Sequence, residues 1–216
     1  MIQESQTLNH ANNTPMKSIA TLCTFFLLAV GLAAKPIQFD FADKKGVNSI
    51  TFEMESLLEP IYGNAAGITG SVSFDPDAPE KTTGKVILDT ASLHVANKLM
   101  KEHIHGDGWM NVKVFPSISF ELDRLEDVKK QGDNYVANAV GTMKILKIRK
   151  KMTVPVTLTF LKGRLAERNR VEGDLLVVRS KLVVNRDDYG INPGQKLLKV
   201  ANEIEIRVGI AGAAPY

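Results

Sequence analysis

From residue 36 onward, apolar and polar positions alternate along most of the chain. In PIQFDFAD, Ile37, Phe39 and Phe41 share one side, and in SITFEME so do Ile50, Phe52 and Met54. In GITGSVSFD, Ile68, Val72 and Phe74 oppose Thr69, Ser71 and Ser73. A period of two with one apolar and one polar face predicts half-buried β-strands. Gly70 falls on the apolar side, where a missing side chain eases bending or close approach. The turn DPDAPE separates this strand from GKVILDTASL. Further strands are predicted in SISFELDRL, YVANAVGTM, TVPVTLTFLKG, DLLVVRSKLVV and ANEIEIRVGI, with KKQGDN (129–134) as a hairpin loop. Pro155 predicts an edge, a strand start or a bulge.

Roughly eight strands in hairpin order, with no βαβ spacing, predict an all-β protein. Strands with one apolar face must close on themselves or pair face to face. A barrel and a sandwich both meet that demand. Inward Phe, Ile, Leu and Val either fill such a core or line a cavity, and an eight-stranded barrel is wide enough for both.

One stretch, KEHIHGDGWMNVKVFPSISF (101–120), interrupts the alternation. Asn97 is placed to cap a short helix running through Met100 and His103. Gly106 and Gly108 end it, Trp109 and Met110 begin a second turn, and Pro116 precedes the next strand.

The N-terminal region is organised differently. Lys17 precedes an apolar run from Ile19 to Ala34 that ends in small residues, the pattern of a secretory signal peptide. Residues 1–34 are therefore expected to be a signal peptide, with cleavage near Ala33 or Ala34 and a polar extension ahead of Met16. Residues 35–216 are expected to form a single periplasmic or secreted domain. The only cysteine, Cys23, lies in the apolar run. The mature domain then has no thiol chemistry and no disulfide, and its fold must rest on its core.

Charge and motif content narrow the chemistry. A net charge of +3 does not mark a nucleic-acid binder, and the basic run KILKIRKK (144–151) has no stacking aromatics beside it. That run reads as a solvated hairpin or as a surface that attracts an anionic headgroup or membrane. His103 and His105, two residues apart, do not share a helix face and match no metal motif. Ser92, Ser117 and Ser119 sit on no nucleophile elbow, and Glu53–Glu55 and Asp187–Asp188 have nothing to mark them as glycosidase pairs. No catalytic residue, metal or cofactor is expected. In NRDDYGI (185–191), Arg186 reads as a structural pin on loop carbonyls or a carboxylate, or as a contact for a polar headgroup. Tyr189 reads as a rim aromatic.

Three of these segments, taken in order, resemble the YceI-like family, and the resemblance spans roughly residues 36 to 210. ITGSVSFDPDAPEKTTGKVILDTASL is similar to the family's opening strand pair with its Phe-Asp-Pro turn. HIHGDGWMNVKVFPSISF resembles its most characteristic stretch. There His103-Ile104, Trp109-Met110 and Phe115-Pro116 stand where the family has His-Leu, two Phe and Tyr-Pro. NRDDYGI resembles its Asn-Arg-x-x-Phe-Gly ending. Departures are Lys101 in place of an acid, Met110 in place of the second aromatic, and loss of the second glycine in the hairpin from Gly141 to Lys147.

The resemblance implies an eight-stranded antiparallel lipocalin-like barrel, with a short helix and loop near one end and a long apolar channel inside. It implies a non-enzymatic carrier of a polyisoprenoid, quinone or fatty amphiphile. Phe39, Phe41, Phe52, Phe74, Phe120 and Phe160 are the expected lining. His103, Trp109 and Met110 are expected to gate one end, with Arg186 and Tyr189 near the headgroup. Transient membrane contact and a homodimer through an exposed edge near Pro155 are further expectations. The rival readings are a structural or stress-related envelope protein with a filled barrel, and an enzyme acting on a bound lipid, with His103 its first test.

Overall fold

Alternation becomes strand almost everywhere it was expected. A computed structural model describes residues 35–216 together with Met1 and Ile2. The expected signal peptide and its cleavage site lie outside the described residues. The strands are β1 (Ile37–Asp40), β2 (Ser49–Glu55), β3 (Pro60–Ala65), β4 (Ile68–Phe74), β5 (Thr83–Asp89), β6 (His94–Val95), β7 (Ser117–Gln131), β8 (Asn134–Ile145), β9 (Ile148–Leu161), β10 (Gly173–Asn185) and β11 (Glu203–Pro215). Two short helices, α1 (Lys98–His105) and α2 (Leu165–Asn169), accompany them. Asn97 caps α1 as expected, its side chain accepting from the Met100 N–H at 3.0 Å.

Pairing is antiparallel throughout. It runs β1-β4-β5-β7-β8-β9-β10-β11 and closes where Asp40 of β1 meets Ala213 of β11. The result is an eight-stranded barrel, not a sandwich. β2, β3 and β6 extend it at one end. β11 pairs first with Asp40 and then with Ser49–Glu53, so β1 and β2 lie end to end along one edge. β3 and β6 continue the lines of β4 and β5 in the same way.

The break between β1 and β2 is repaired by a side chain. Ala211 lies between the β11 residues paired with β1 and with β2, where no strand partner reaches it. The buried Asn48 carboxamide takes that place. It accepts from Ala211 N–H at 2.9 Å and donates to the Ala211 and Phe41 carbonyls at 3.1 and 3.0 Å. A side-chain amide has the donor and acceptor of a peptide, so the ladder stays satisfied. Asp43, its side chain only 7% exposed, holds the loop. It accepts from the Val47 and Asn48 N–H groups and from Arg168 of α2, all at 2.9 Å. Burial pushes its carboxyl pKa up, but the backbone N–H groups of Asn48, Lys45 and Val47, with Arg168, outweigh that and hold it below the ordinary value.

Gly70 makes the close approach its position suggested. Its φ is +111°, and a Cβ there would stand 2.0 Å from the Lys85 carbonyl oxygen. Pro155 ends a ladder: β9 pairs with β10 only from Leu161 to Val156. Proline has no N–H to continue, and the Ser180 hydroxyl donates to the Pro155 carbonyl at 2.7 Å instead.

Some boundaries differ from the sequence expectation. The stretch expected as one strand over 84–93 turns at Thr90–Ser92, where Thr90 donates to the Phe115 carbonyl at 2.7 Å. The 129–134 loop shrinks to a Gly132-Asp133 turn because β7 runs to Gln131. β3, with a proline and a glycine in six residues, and α2 carried no usable period.

Candidate functional site

Above the middle of the barrel the inward side chains do not meet. They surround a cavity of about 220 Å³. Every second residue of each long strand faces it: Ile50, Phe52 and Met54 of β2, Ile118 and Phe120 of β7, Val178, Leu182 and Val184 of β10, and Ile204, Ile206 and Val208 of β11. Val86, Met143 and Val156 fill the intervening strands, and Ile104, Trp109, Met110 and Ile191 cover the end. Phe120, Val156, Val178, Ile204 and Ile206 remain only partly buried although they point inward. In a filled core such residues lose nearly all their accessible surface. The volume is several times the ~30 Å³ share of one water, and almost nothing on the wall would hydrogen-bond water there.

The structure divides the residues expected from sequence. Phe52, Trp109, Met110, Phe120 and Arg186 lie on the cavity. Phe39, Phe41, Phe74 and Phe160 are absent from its wall. Phe74 meets Tyr135 edge-on at 5.2 Å, and Phe160 lies 5.8 Å from Phe74 and 6.2 Å from Phe39. Phe39, Phe41 and Phe74 are fully buried. These rings plug the opposite end of the barrel, where β4 and β9 finish and β8 begins. They point inward as alternation requires, but at that end aromatic rings span the bore.

His103 is exposed on the outer face of α1, while Ile104 turns to the cavity. The histidine with a defined partner is His105, whose Nε2 lies 2.8 Å from the Leu93 carbonyl oxygen and ties α1 to the end of the Thr90–Ser92 turn. Tyr189 is buried behind the rim with Lys150 Nζ 5.8 Å from its ring centroid. Burial, then the Asp188 charge, pushes its phenol pKa up.

Arg186 is fully buried, and its donors are spent. Nε donates to Ala201 O at 3.1 Å. Nη1 donates to Ile191 O at 2.9 Å and to Asn192 O, and Nη2 to Val200 O at 3.3 Å and to Gln195 O. Five N–H groups meet five carbonyls, so the guanidinium has nothing left for a headgroup while the 191–201 loop stands. Its charge lies 5.8 Å from the Trp109 ring centroid, linking this loop to the one after α1.

Of the six phenylalanines expected on the lining, Phe52 and Phe120 are on the cavity and the other four are not. The aliphatic wall of Ile50, Ile118, Met143, Val178, Ile204 and Ile206 was visible in the same alternation. Nothing local told hollow positions from filled ones. Among the described residues, no group of three His, Cys, Asp or Glu side chains could hold a metal.

Residues 43–211 match the model of the YceI-like domain. The chain belongs to the YceI-like family. Curated relatives include UPF0312 proteins of Yersinia pestis (strain Pestoides F) and Yersinia pseudotuberculosis (serotype O:1b), each 29% identical over 119 residues. The match spans 54% of this chain and 59% of the length of those relatives. Among solved structures, Burkholderia cenocepacia BcnA superposes with a TM-score of 0.63 at 19% identity, covering 76% of this chain and 95% of BcnA. A polyisoprenoid binding domain from Saccharophagus degradans gives 0.61 at 9% identity, covering 84% and 100%. The Campylobacter jejuni YCEI protein gives 0.60 at 17%, covering 71% and 85%. At these identities the structural likeness is one of fold. The YceI-like barrel of this chain is thus hollow at one end and plugged with aromatic rings at the other.

Proposed function

We propose that this protein binds a long apolar chain (a polyisoprenoid, quinone or fatty amphiphile) in its bore, and acts by burial without bond chemistry. The observation that carries the reading is the apolar cavity, whose inward side chains keep accessible surface. Membership of a family that includes a structure described as a polyisoprenoid binding domain supports it. The apolar run from Ile19 to Ala34 supports export to the periplasm or beyond.

Each methylene moved from water into the bore contributes about 0.8 kcal/mol. A chain of ten to fifteen carbons gains roughly 8–12 kcal/mol, and several kcal/mol of ordering cost offset part of that. The remainder, about 4–8 kcal/mol, corresponds to affinity between millimolar and micromolar, tighter for the longer chains. Phe52 and Phe120 form wall contacts in this proposal, Trp109 and Met110 cap the end, and Arg186 holds the loop beside them. Catalysis on the cargo needs a group that can exchange a proton at the wall. Among the described residues, Arg186 is the only ionisable side chain on it, and all its donors are engaged.

Native mass spectrometry of gently purified protein, before and after organic extraction, tests the proposal. Added mass that extraction removes, and rebinding of geranylgeraniol or palmitate, are expected. Apo mass throughout, with neither probe bound, would falsify the reading.

A further inference from the structure

The rim at the hollow end exposes an apolar patch that the barrel itself does not use. Leu57, Leu58, Leu99, Leu197 and Leu198 are between 49% and 80% exposed, and they are all the strongly exposed leucines among the described residues. All five lie at one end. Leu57 and Leu58 form the tip between β2 and β3, Leu99 sits on α1, and Leu197 and Leu198 belong to the connection between β10 and β11. In an antiparallel barrel these connections share a rim, and it is the rim that Met54, Ile104 and Ile191 close over the cavity. The two leucine pairs form one patch, because Leu58 N–H donates to the Leu198 carbonyl at 3.0 Å. The opposite end exposes Val47, Val136, Val171 and Tyr216 but no leucine.

Charge around the patch indicates what covers it. Lys196 and Lys199 flank Leu197 and Leu198 directly in the sequence. Lys199 lies 3.5 Å from Glu59, which neutralises the acid nearest the patch, and Lys150 lies 2.6 Å from Asp188. Lys196, Lys147 at the β8–β9 turn, and Lys98, Lys101 and Lys113 around α1 have no carboxylate partner among the described residues. Among the same residues, Glu55, Glu102, Asp107 and Glu203 are the acids without a lysine or arginine partner that stand against them on this rim. Contiguous exposed apolar surface marks an interaction site, and leucines ringed by lysines suit an interface with apolar depth and an anionic face. A second copy of this chain would set the same lysines against each other across a two-fold axis.

We infer that this rim docks on an anionic lipid bilayer. Leu57, Leu58, Leu197 and Leu198 enter the headgroup boundary, and Lys147 and Lys196 meet lipid phosphates. Docking places the covered end of the cavity against the membrane, where an apolar chain passes between bilayer and bore without crossing water. The inference extends the binding proposal by naming where cargo is exchanged, but the docking itself requires no cargo.

The test uses protein in the form the cell exports, floated with phosphatidylglycerol–phosphatidylcholine vesicles and with pure phosphatidylcholine vesicles. Binding to the anionic vesicles is expected to fall about tenfold or more when Leu57, Leu58, Leu197 and Leu198 are all replaced by Ser. Lys147→Gln and Lys196→Gln are each expected to weaken it about fivefold, with added salt mimicking the loss. Val136→Ser at the other rim is expected to change nothing. Trp109, the single tryptophan, reports orientation: bromine-labelled lipid in the anionic vesicles is expected to quench it. Vesicle binding that ignores the four leucines, an unquenched Trp109 in bound protein, or a dimer that the leucine changes dissociate without any vesicle binding would each overturn the inference. Palmitate binding in vesicle-free solution separates the two claims. It is expected to survive the leucine changes, and its absence in wild-type protein would remove the cargo reading while leaving docking intact.

Discussion

The two ends of this barrel are built from the same alternating strands and do opposite things. At one end Phe39, Phe74, Tyr135 and Phe160 pack against one another across the bore. At the other, mostly Ile, Val, Leu and Met side chains, with Phe52 and Phe120 among them, surround about 220 Å³. Aromatic rings reach far enough to touch opposite walls, whereas a β-branched side chain ends close to its own strand. The plug thus buries its rings fully at Phe39 and Phe74, and the hollow end keeps the space that the proposed ligand would fill. Both ends also rely on one polar residue that replaces missing strand pairing or orders a long loop: Asn48 near the plug and Arg186 at the rim.

The division predicts which changes damage folding and which damage binding. Arg186→Leu removes five hydrogen bonds to loop carbonyls and is expected to cost about 3–5 kcal/mol, seen as a lower urea midpoint and early proteolysis of the 191–201 loop. Arg186→Lys supplies at most three donors and should recover only part of that. Phe74→Ala in the plug is expected to cost a similar 3–5 kcal/mol while the folded fraction still binds palmitate. The comparison breaks if Phe120→Ala on the cavity wall proves as destabilising as Phe74→Ala.

Filling the bore tests the same contrast from the other side. Val178→Phe is expected to leave the urea midpoint unchanged or raise it, and to weaken palmitate binding about tenfold by occupying its space. Equal affinity in that variant would place the ligand elsewhere. Trp109→Ala removes the cover, and ligand release should be about tenfold faster in stopped-flow displacement, with little change in stability.

The smallest effect is expected at Asp43. Its carboxyl pKa is lowered in the folded protein, so its stabilising contribution is present above the ordinary carboxylate value. That contribution declines as pH falls through that value and is gone below the folded pKa. The stability gap between wild type and Asp43→Asn should be full at neutral pH and close in strong acid. A gap that widens on acidification would contradict the assignment.

Legibility from sequence followed the range of the interaction. Alternation in SITFEME, SISFELDRL and ANEIEIRVGI marked strands and their dry faces, and Asn97 marked the start of α1. The role of Arg186 as a pin was one of two readings, and its contacts select between them: the carbonyls it binds lie five to fifteen residues away, brought together only by the folded loop. Asn48 gave no signal, because the gap it fills belongs to β11, more than a hundred residues later. The basic run from Lys144 to Lys151 became a hairpin whose Arg149 and Lys151 pair outward with Glu121 and Asp123. Such exposed pairs contribute little to stability.

The amino-acid order alone determined that this chain would form antiparallel strands with one apolar face, interrupted by a capped helix, because a period of two and a helix cap are properties of a few neighbouring residues. Closure of the eight-stranded circuit through Asp40 and Ala213 was decided in three dimensions. So was the separation of inward residues into a plug and a cavity. Whether two inward side chains touch depends on the distance between strands far apart in sequence, and that distance is set by the closed barrel.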